Sequence, residues 1–172
     1  MRSAISRAAA GTPPAPLVQR RLAPMTMARL DAVMTIEQAA YALPWTRGNF
    51  VDSIAGGHLA QCLLDDEGVV TGYCVVMQAA GEAHLLNLTV APGEQGRGHA
   101  SAMLDALIVD CRQGRTAQLW LEVRASNERA RRLYRHHGFA DVGLRKAYYP
   151  ALPGCAREDA VVMRLELGGS TR

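Results

Sequence analysis

The chain has 172 residues, 49% hydrophobic and 20% charged, with a net charge of +3 and Lys146 as its only lysine. This length and ordinary composition suit one globular domain with a sizeable core, and they exclude a fibrous or wholly disordered protein. The small basic excess does not point to direct nucleic-acid binding, and no apolar run is long enough to span a membrane.

Residues 1–16, ending in Gly11-Thr-Pro-Pro-Ala-Pro16, are too poor in large apolar side chains to pack a core. A disordered leader is expected there, a single domain over 17–168 and a tail at 169–172. The first residues are basic and small but lack an apolar signal core, so a cytoplasmic, reducing setting is expected. Cys62, Cys74 and Cys111 sit in apolar patterns and read as core thiols, with Cys155 exposed in a Pro-Gly loop. Their spacing offers no metal site, so no metal is expected.

Leu17–Ala23 reads as an edge strand. Thr26 is positioned to cap a helix with Leu30, Val33 and Met34 on one face, running toward Ala40 before Pro44. Pro44-Trp45-Thr46 opens a second helix through Phe50 and Ile54 to Gly56-Gly57. His58–Leu64 and Val69–Met77 form a hairpin across Asp65-Asp66-Glu67-Gly68. Ala83–Val90 is the next strand, and Gln118–Val123 follows an amphipathic helix with Ala100, Met103, Leu104, Leu107, Ile108 and Cys111 on one face. Ser126 is the expected N-cap of a helix ending at His137-Gly138; Phe139–Lys146 and Asp159–Leu167 are the last strands. The class is α/β. About seven strands in a mixed sheet, flanked by four helices, make a three-layer α/β/α sandwich.

Between the Ala83–Val90 strand and the long helix lies Gln95-Gly96-Arg97-Gly98-His99-Ala100-Ser101. Unpaired amides and the helix dipole at such a junction suit a diphosphate, and glycine allows close approach. The stretch lacks the Gly-Lys-Ser/Thr of a P-loop and the context of a dinucleotide fold. Taken alone, it is equally a turn that binds nothing.

Gln95-x-x-Gly98-x-Ala100 resembles the Arg/Gln-x-x-Gly-x-Gly/Ala signature of the GNAT acetyltransferases. Leu119-Trp-Leu-Glu-Val-Arg-Ala-Ser-Asn127, Leu133-Tyr134, Gly138-Phe139 and Tyr148-Tyr149-Pro150 resemble the RimI branch in particular. The resemblance spans about Met25 to Leu167 and implies acetyl-CoA as cosubstrate. It implies as acceptor the N-terminal alanine of the eighteenth small-subunit ribosomal protein, held as an N-terminal peptide by a monomeric enzyme. It further implies that the loop 95–101, including Arg97, His99 and Ser101, holds the diphosphate. Leu88, Thr89 and Val90 would then offer backbone to the pantetheine arm, Glu122 would be the general base and Tyr134 the general acid. Asn127, which caps or approaches the start of the same helix, is expected to hydrogen-bond the cofactor.

Each role has a plainer counterpart. Glu122 could face solvent or pair with Arg124 or Arg129, Tyr134 could only pack its ring, and Asn127 could be a turn residue. Trp45 reads as a core anchor at the acceptor wall, His99 as a solvent-facing spacer and His136-His137 as complements to a helix dipole. Apolar surroundings would raise the Glu122 carboxyl toward neutrality, and a phenol near 10 would nearly match a thiol. An α-amine titrates near 8 and lysine near 10.4, so neutral lysine costs roughly 3 kcal/mol more at pH 7. That favours an α-amine. The resemblance also covers acetylation of a small amine or of protein lysines, or a non-catalytic CoA-binding module. Arg157-Glu158-Asp159 and the Tyr148-Tyr149-Pro150 loop are expected on the acceptor side.

Overall fold

The fold is that of a computed structural model, which describes residues 20–151 and 154–168. The expected leader, the start of the edge strand at 17–19 and the tail 169–172 lie outside the described residues. Seven strands form one sheet: β1 (Arg21–Pro24), β2 (Leu59–Leu64), β3 (Val70–Ala79), β4 (Glu82–Val90), β5 (Gln118–Arg124), β6 (Ala140–Tyr149) and β7 (Glu158–Glu166). Their spatial order is β1-β2-β3-β4-β5-β7-β6, with only β4 and β5 parallel. Four α-helices, α1 (Leu30–Ala40), α2 (Arg47–Ala55), α3 (His99–Gln113) and α4 (Glu128–His136), complete the expected order.

The helices divide between the two faces. Leu30, Val33, Ile36 and Phe50 of α1 and α2 pack on Cys62, Leu64, Tyr73 and Val75. On the opposite face Met103, Leu104, Leu107 and Ile108 of α3 pack on Leu85, Leu119, Leu121 and Met163. Each such fully buried side chain is worth about 1.5–3 kcal/mol. Central β3 serves both layers by alternation, Tyr73 and Val75 toward one, Cys74 and Val76 toward the other. Cys62, Cys74 and Cys111 are buried free thiols and Cys155 is exposed; burial pushes the Cys62 and Cys74 thiols up to about 11 and about 12, which leaves them inert.

Three local expectations shift. Thr26 opens a single 3-10 turn, Met27–Arg29, without a side-chain cap, and α1 continues from it. Asn127, not Ser126, caps α4, its Oδ1 accepting from Ala130 N at 3.1 Å. Ser126 instead gives its backbone N–H to Glu158 at 2.8 Å. Tyr148 and Tyr149 belong to β6 rather than to the loop after it. Thr46 does open α2, through a reciprocal capping box with Asn49.

A bulge positions everything that follows. In the β3–β4 ladder Val75 pairs with Asn87 but Val76 with Leu85, so Leu86 is an extra residue. The insertion reverses the alternation of β4. Before it Ala83 and Leu85 face the α3 layer; after it Leu88 and Val90 do. Asn87 and Thr89 thereby turn toward α1, where Asn87 bonds Glu37 and Thr89 bonds Tyr41.

Candidate active site

The parallel pairing of β4 with β5 runs from Glu82–Gln118 to Leu85–Leu121 and stops there. From the bulge onward, β4 stays bonded to β3 and β5 to β7. The facing edges of β4 and β5 therefore diverge and present main-chain groups without a strand partner on that side. Cavities of about 450 and 380 Å³ lie along this gap, and Tyr41, Leu88, Asn127, Ala130 and Tyr134 line both. They form one continuous groove.

The smaller cavity is bounded by Leu88, Thr89 and Val90 on one side and by Gln95–Ser101 on the other, Arg97 excepted. Gly96 and Gly98 both take φ of +81, which a side chain would strain. Open space surrounds the position of an added Cβ at Gly98, so the requirement there is conformational rather than steric. The first-turn amides of α3 emerge immediately beyond it. Gln95 anchors this loop: its Nε2 donates to the Val90 carbonyl at 3.0 Å, and its Oε1 accepts from Arg129 at 3.0 Å. These amides, the helix dipole and the glycine conformations fit a diphosphate.

Two loop side chains differ from expectation. Arg97 turns back to Glu94 at 3.3 Å rather than into the cavity. His99 is no solvent-facing spacer: its side chain is 15% exposed, with Nε2 3.4 Å from Glu94. Burial, reinforced by Arg20, lowers its pKa and favours the neutral imidazole. Arg20 itself pairs with Glu94 at 2.6 Å and so closes the outer wall of the loop.

Tyr134 sits where the two cavities meet. Its ring packs against Phe139 at 5.6 Å between centroids. Burial, and secondarily Tyr41 and Tyr149, pushes its phenol well above the usual tyrosine value. The near balance with a thiol expected from an ordinary phenol therefore does not hold in the unliganded protein; the hydroxyl stays protonated throughout the physiological range. Asn127 lines both cavities, and with Oδ1 occupied by its cap, its Nδ2 is the donor left for the groove.

The larger cavity is assembled from distant elements. β5 alternates, with Leu119, Leu121 and Val123 buried beneath α3 and α4, while Trp120, Glu122 and Arg124 face the other way. Glu122 is 20% exposed and lies 3.2 Å from Arg145 of β6. The surroundings are thus not apolar, and the ion-pair partner is Arg145 rather than Arg124 or Arg129. Tyr149 donates to the backbone carbonyl of Glu122 at 3.1 Å, under the guanidinium of Arg124 at 4.3 Å from its ring centroid. Burial pushes the Tyr149 phenol up to about 12.

Ala147, at a φ of +50, bends β6 to bring Tyr149 there. Asp159 accepts from its amide at 2.7 Å, and Arg157 donates to its carbonyl at 2.7 Å. Arg157, Glu158 and Asp159, expected to face the acceptor, are therefore engaged in bracing the β6–β7 end and the start of α4.

One residue central to the acceptor side escaped the sequence reading. Glu37 is 1% exposed and accepts from Trp45 N at 2.7 Å, from Tyr73 and from Asn87 at 3.3 Å. It ties α1, the α1–α2 loop, β3 and the β4 bulge together. Its signal was present: Glu37 follows Leu30, Val33 and Met34 at helical spacing, on the stripe that should be apolar. Trp45 is the anchor expected, packed on Phe50 at 5.2 Å, while its edge also lines the groove.

Residues 30–139 match the model of the acetyltransferase (GNAT) family. The chain belongs to the GNAT acetyltransferase family. Two relatives named [ribosomal protein bS18]-alanine N-acetyltransferase, from Haemophilus ducreyi and Escherichia coli K12, are each 37% identical to it. Both cover 80% of this chain, and the match spans 93% and 91% of their own lengths. The crystal structure of the ribosomal-protein-S18-alanine N-acetyltransferase from Escherichia coli superposes with a TM-score of 0.83 at 32% identity, covering 90% of this chain and 97% of that one. This GNAT protein is therefore an N-acetyltransferase, and acetyl-CoA is its family's acetyl donor.

Within this GNAT fold the expected residues fall into two groups. Leu88, Thr89, Val90, Gln95, Gly96, Gly98, His99, Ala100, Ser101 and Asn127 converge on the smaller cavity, and Glu122 and Tyr134 meet along the larger one. Arg97 stands outside both, held by Glu94. Among the described residues, no cluster of His, Cys, Asp or Glu is placed to hold a metal ion, and no helix is long and apolar enough to cross a membrane.

Proposed function

We propose that the chain is a RimI-type peptide α-amine acetyltransferase whose acceptor is the N-terminal alanine of a small-subunit ribosomal protein. The observation that carries this reading is the position of Tyr134 at the junction of the two cavities, with Glu122 in the wall of the acceptor one. Acetyl-CoA supplies an activated thioester. The amides of the 96–101 loop hold its diphosphate, and the strand edge at Leu88–Val90, where Gln95 occupies the Val90 carbonyl, takes the pantetheine arm as a surrogate strand. Glu122, directly or through one water, removes the proton that the α-amine sheds as the N–C bond forms. As the C–S bond breaks, Tyr134 gives its phenolic proton to the departing sulfur. Proton and charge then balance.

The form of the acceptor end favours a peptide over a polyamine. Glu37 is saturated by donors, Glu122 is paired with Arg145, and Arg124 is paired with Glu158, so none of these carboxylates is left to attract a polycation. An enclosed acidic pocket for a small polycation is not what these residues build. Intact-mass spectrometry tests the reading. An N-terminal alanine peptide incubated with enzyme and acetyl-CoA should gain one acetyl group on its α-amine, while an internal-lysine peptide and spermidine should not. Acetylation of spermidine alone would overturn it.

A further inference from the structure

His137, at the C-terminal cap of α4, is a titratable group that the chemistry above does not use. Its side chain is only 6% exposed. Its Nδ1 lies 2.8 Å from the Leu133 carbonyl, which can only accept, so Nδ1 carries a proton. Its Nε2 lies 3.1 Å from Ser101 Oγ, in the first turn of α3 and in the wall of the cofactor cavity. Asp105 Oδ1, one turn further along α3, is 3.2 Å from the same nitrogen. His136 stands edge-on at 5.6 Å between ring centroids. The carbonyl end of α4 adds partial negative charge.

These contacts allow two hydrogen-bond polarities. With a neutral ring, Nε2 is an acceptor; Ser101 must give it its only proton, and Asp105 faces a lone pair. With a charged ring, Nε2–H is the donor, Asp105 becomes a favourable partner, and Ser101 receives a hydrogen bond. The hydroxyl proton of Ser101 is then released to point into the cavity. A diphosphate oxygen there can only accept.

We propose that His137 is a positioning residue for the cofactor. It sets whether Ser101 can donate to the diphosphate, so cofactor binding is coupled to uptake of a proton by a side chain that never touches the ligand. The coupling rests on the assignment of the 96–101 loop to a CoA diphosphate. By linkage, a ligand that prefers the charged ring binds more tightly as pH falls and takes up protons as it binds.

The test is isothermal titration calorimetry with 3′-dephospho-CoA, which keeps the diphosphate but removes a phosphate that would itself titrate. It is run in buffers of differing ionisation enthalpy across about pH 5 to 8. The full chain should take up a fraction of a proton per ligand, and the dissociation constant should rise by about 5-fold or more over that interval. Ser101→Ala should lose the proton uptake with His137 intact. Asp105→Asn, at a side chain 68% exposed, removes the charged partner of Nε2 and should weaken the proton uptake. His137→Gln should lose the same share of the pH dependence as Ser101→Ala, leaving only what His99 in the same cavity wall contributes. Binding without proton uptake, or unchanged uptake in Ser101→Ala, overturns the coupling alone. Failure of dephospho-CoA to bind at any pH overturns the CoA reading beneath it.

Discussion

The two ends of the groove are built in opposite ways. The proposed cofactor end is lined by one contiguous stretch, Gln95–Ser101, opposite Leu88–Val90; the groups proposed to hold the diphosphate are mainly main-chain amides, and two glycines at φ of +81 set the loop geometry. The acceptor end draws Glu37 and Trp45 from α1 and its following loop, Leu86 and Asn87 from β4, Glu122 from β5, and Arg145 and Tyr149 from β6. A backbone site tolerates many side chains and survives single substitutions. A site made of long-range side-chain contacts fails or changes specificity when one of them is altered. Tyr134, shared by both ends, belongs to neither class.

That contrast breaks most visibly at the junction. Tyr134→Phe and Glu122→Gln should each lower kcat by roughly 10²-fold or more, while CoA affinity measured by titration changes little. Because burial raises the Tyr134 phenol, wild-type kcat should show no alkaline loss from this group below about pH 10. Unchanged turnover in either variant would reject its role.

At the acceptor end alone, Glu37→Ala strands the Tyr73 hydroxyl and the Trp45 amide. A stability loss of about 3 kcal/mol is expected in denaturant unfolding, with Glu37→Gln losing less. In the Gln variant the peptide KM should rise while CoA affinity holds. At the cofactor end alone, Gly98→Ala should cost about 1–2 kcal/mol for its left-handed backbone, and here CoA affinity should fall while the peptide KM holds. Variants that weaken both ligands equally would erase the distinction between the ends.

The smallest effect concerns the brace between them. The hydrogen bonds from Ser126, and then Arg124 at 2.9 Å, hold the Glu158 carboxyl below the usual range. Its folded value is depressed, so its contribution is complete above the ordinary glutamate value of about 4.3 and is lost as pH falls through the folded value. Thermal melts should show Glu158→Gln destabilised at neutral pH and nearly matching the parent in acid.

The same contrast explains what the sequence made legible. The strand–loop–helix junction at Gln95–Ser101 was readable because it is local: strand, glycines and helix follow one another within a few residues. The mixed sheet and the two helix layers followed from periodicity and crossover rules, whereas the splay of β4 from β5 came from the resemblance to the GNAT fold. Arg145 was not readable as the partner of Glu122, because 23 positions and two strand pairings separate them. Glu37 was visible only as a misplaced carboxylate on an apolar stripe. The Leu86 bulge, which turns Asn87 and Thr89 toward α1, left no mark, since no glycine or proline accompanies it. Asn127 was placed at the start of the helix and also assigned to the cofactor; its Oδ1 does close the helix, which leaves Nδ2 for the groove.

A crystal structure of the enzyme with CoA tests the central claim most directly. The account predicts the diphosphate on the amides of residues 96–101, the pantetheine arm along Leu88–Val90, and the sulfur within about 3.5 Å of Tyr134 Oη. A diphosphate bound elsewhere, or a sulfur facing away from Tyr134 with Glu122 shut off from the groove, would contradict it.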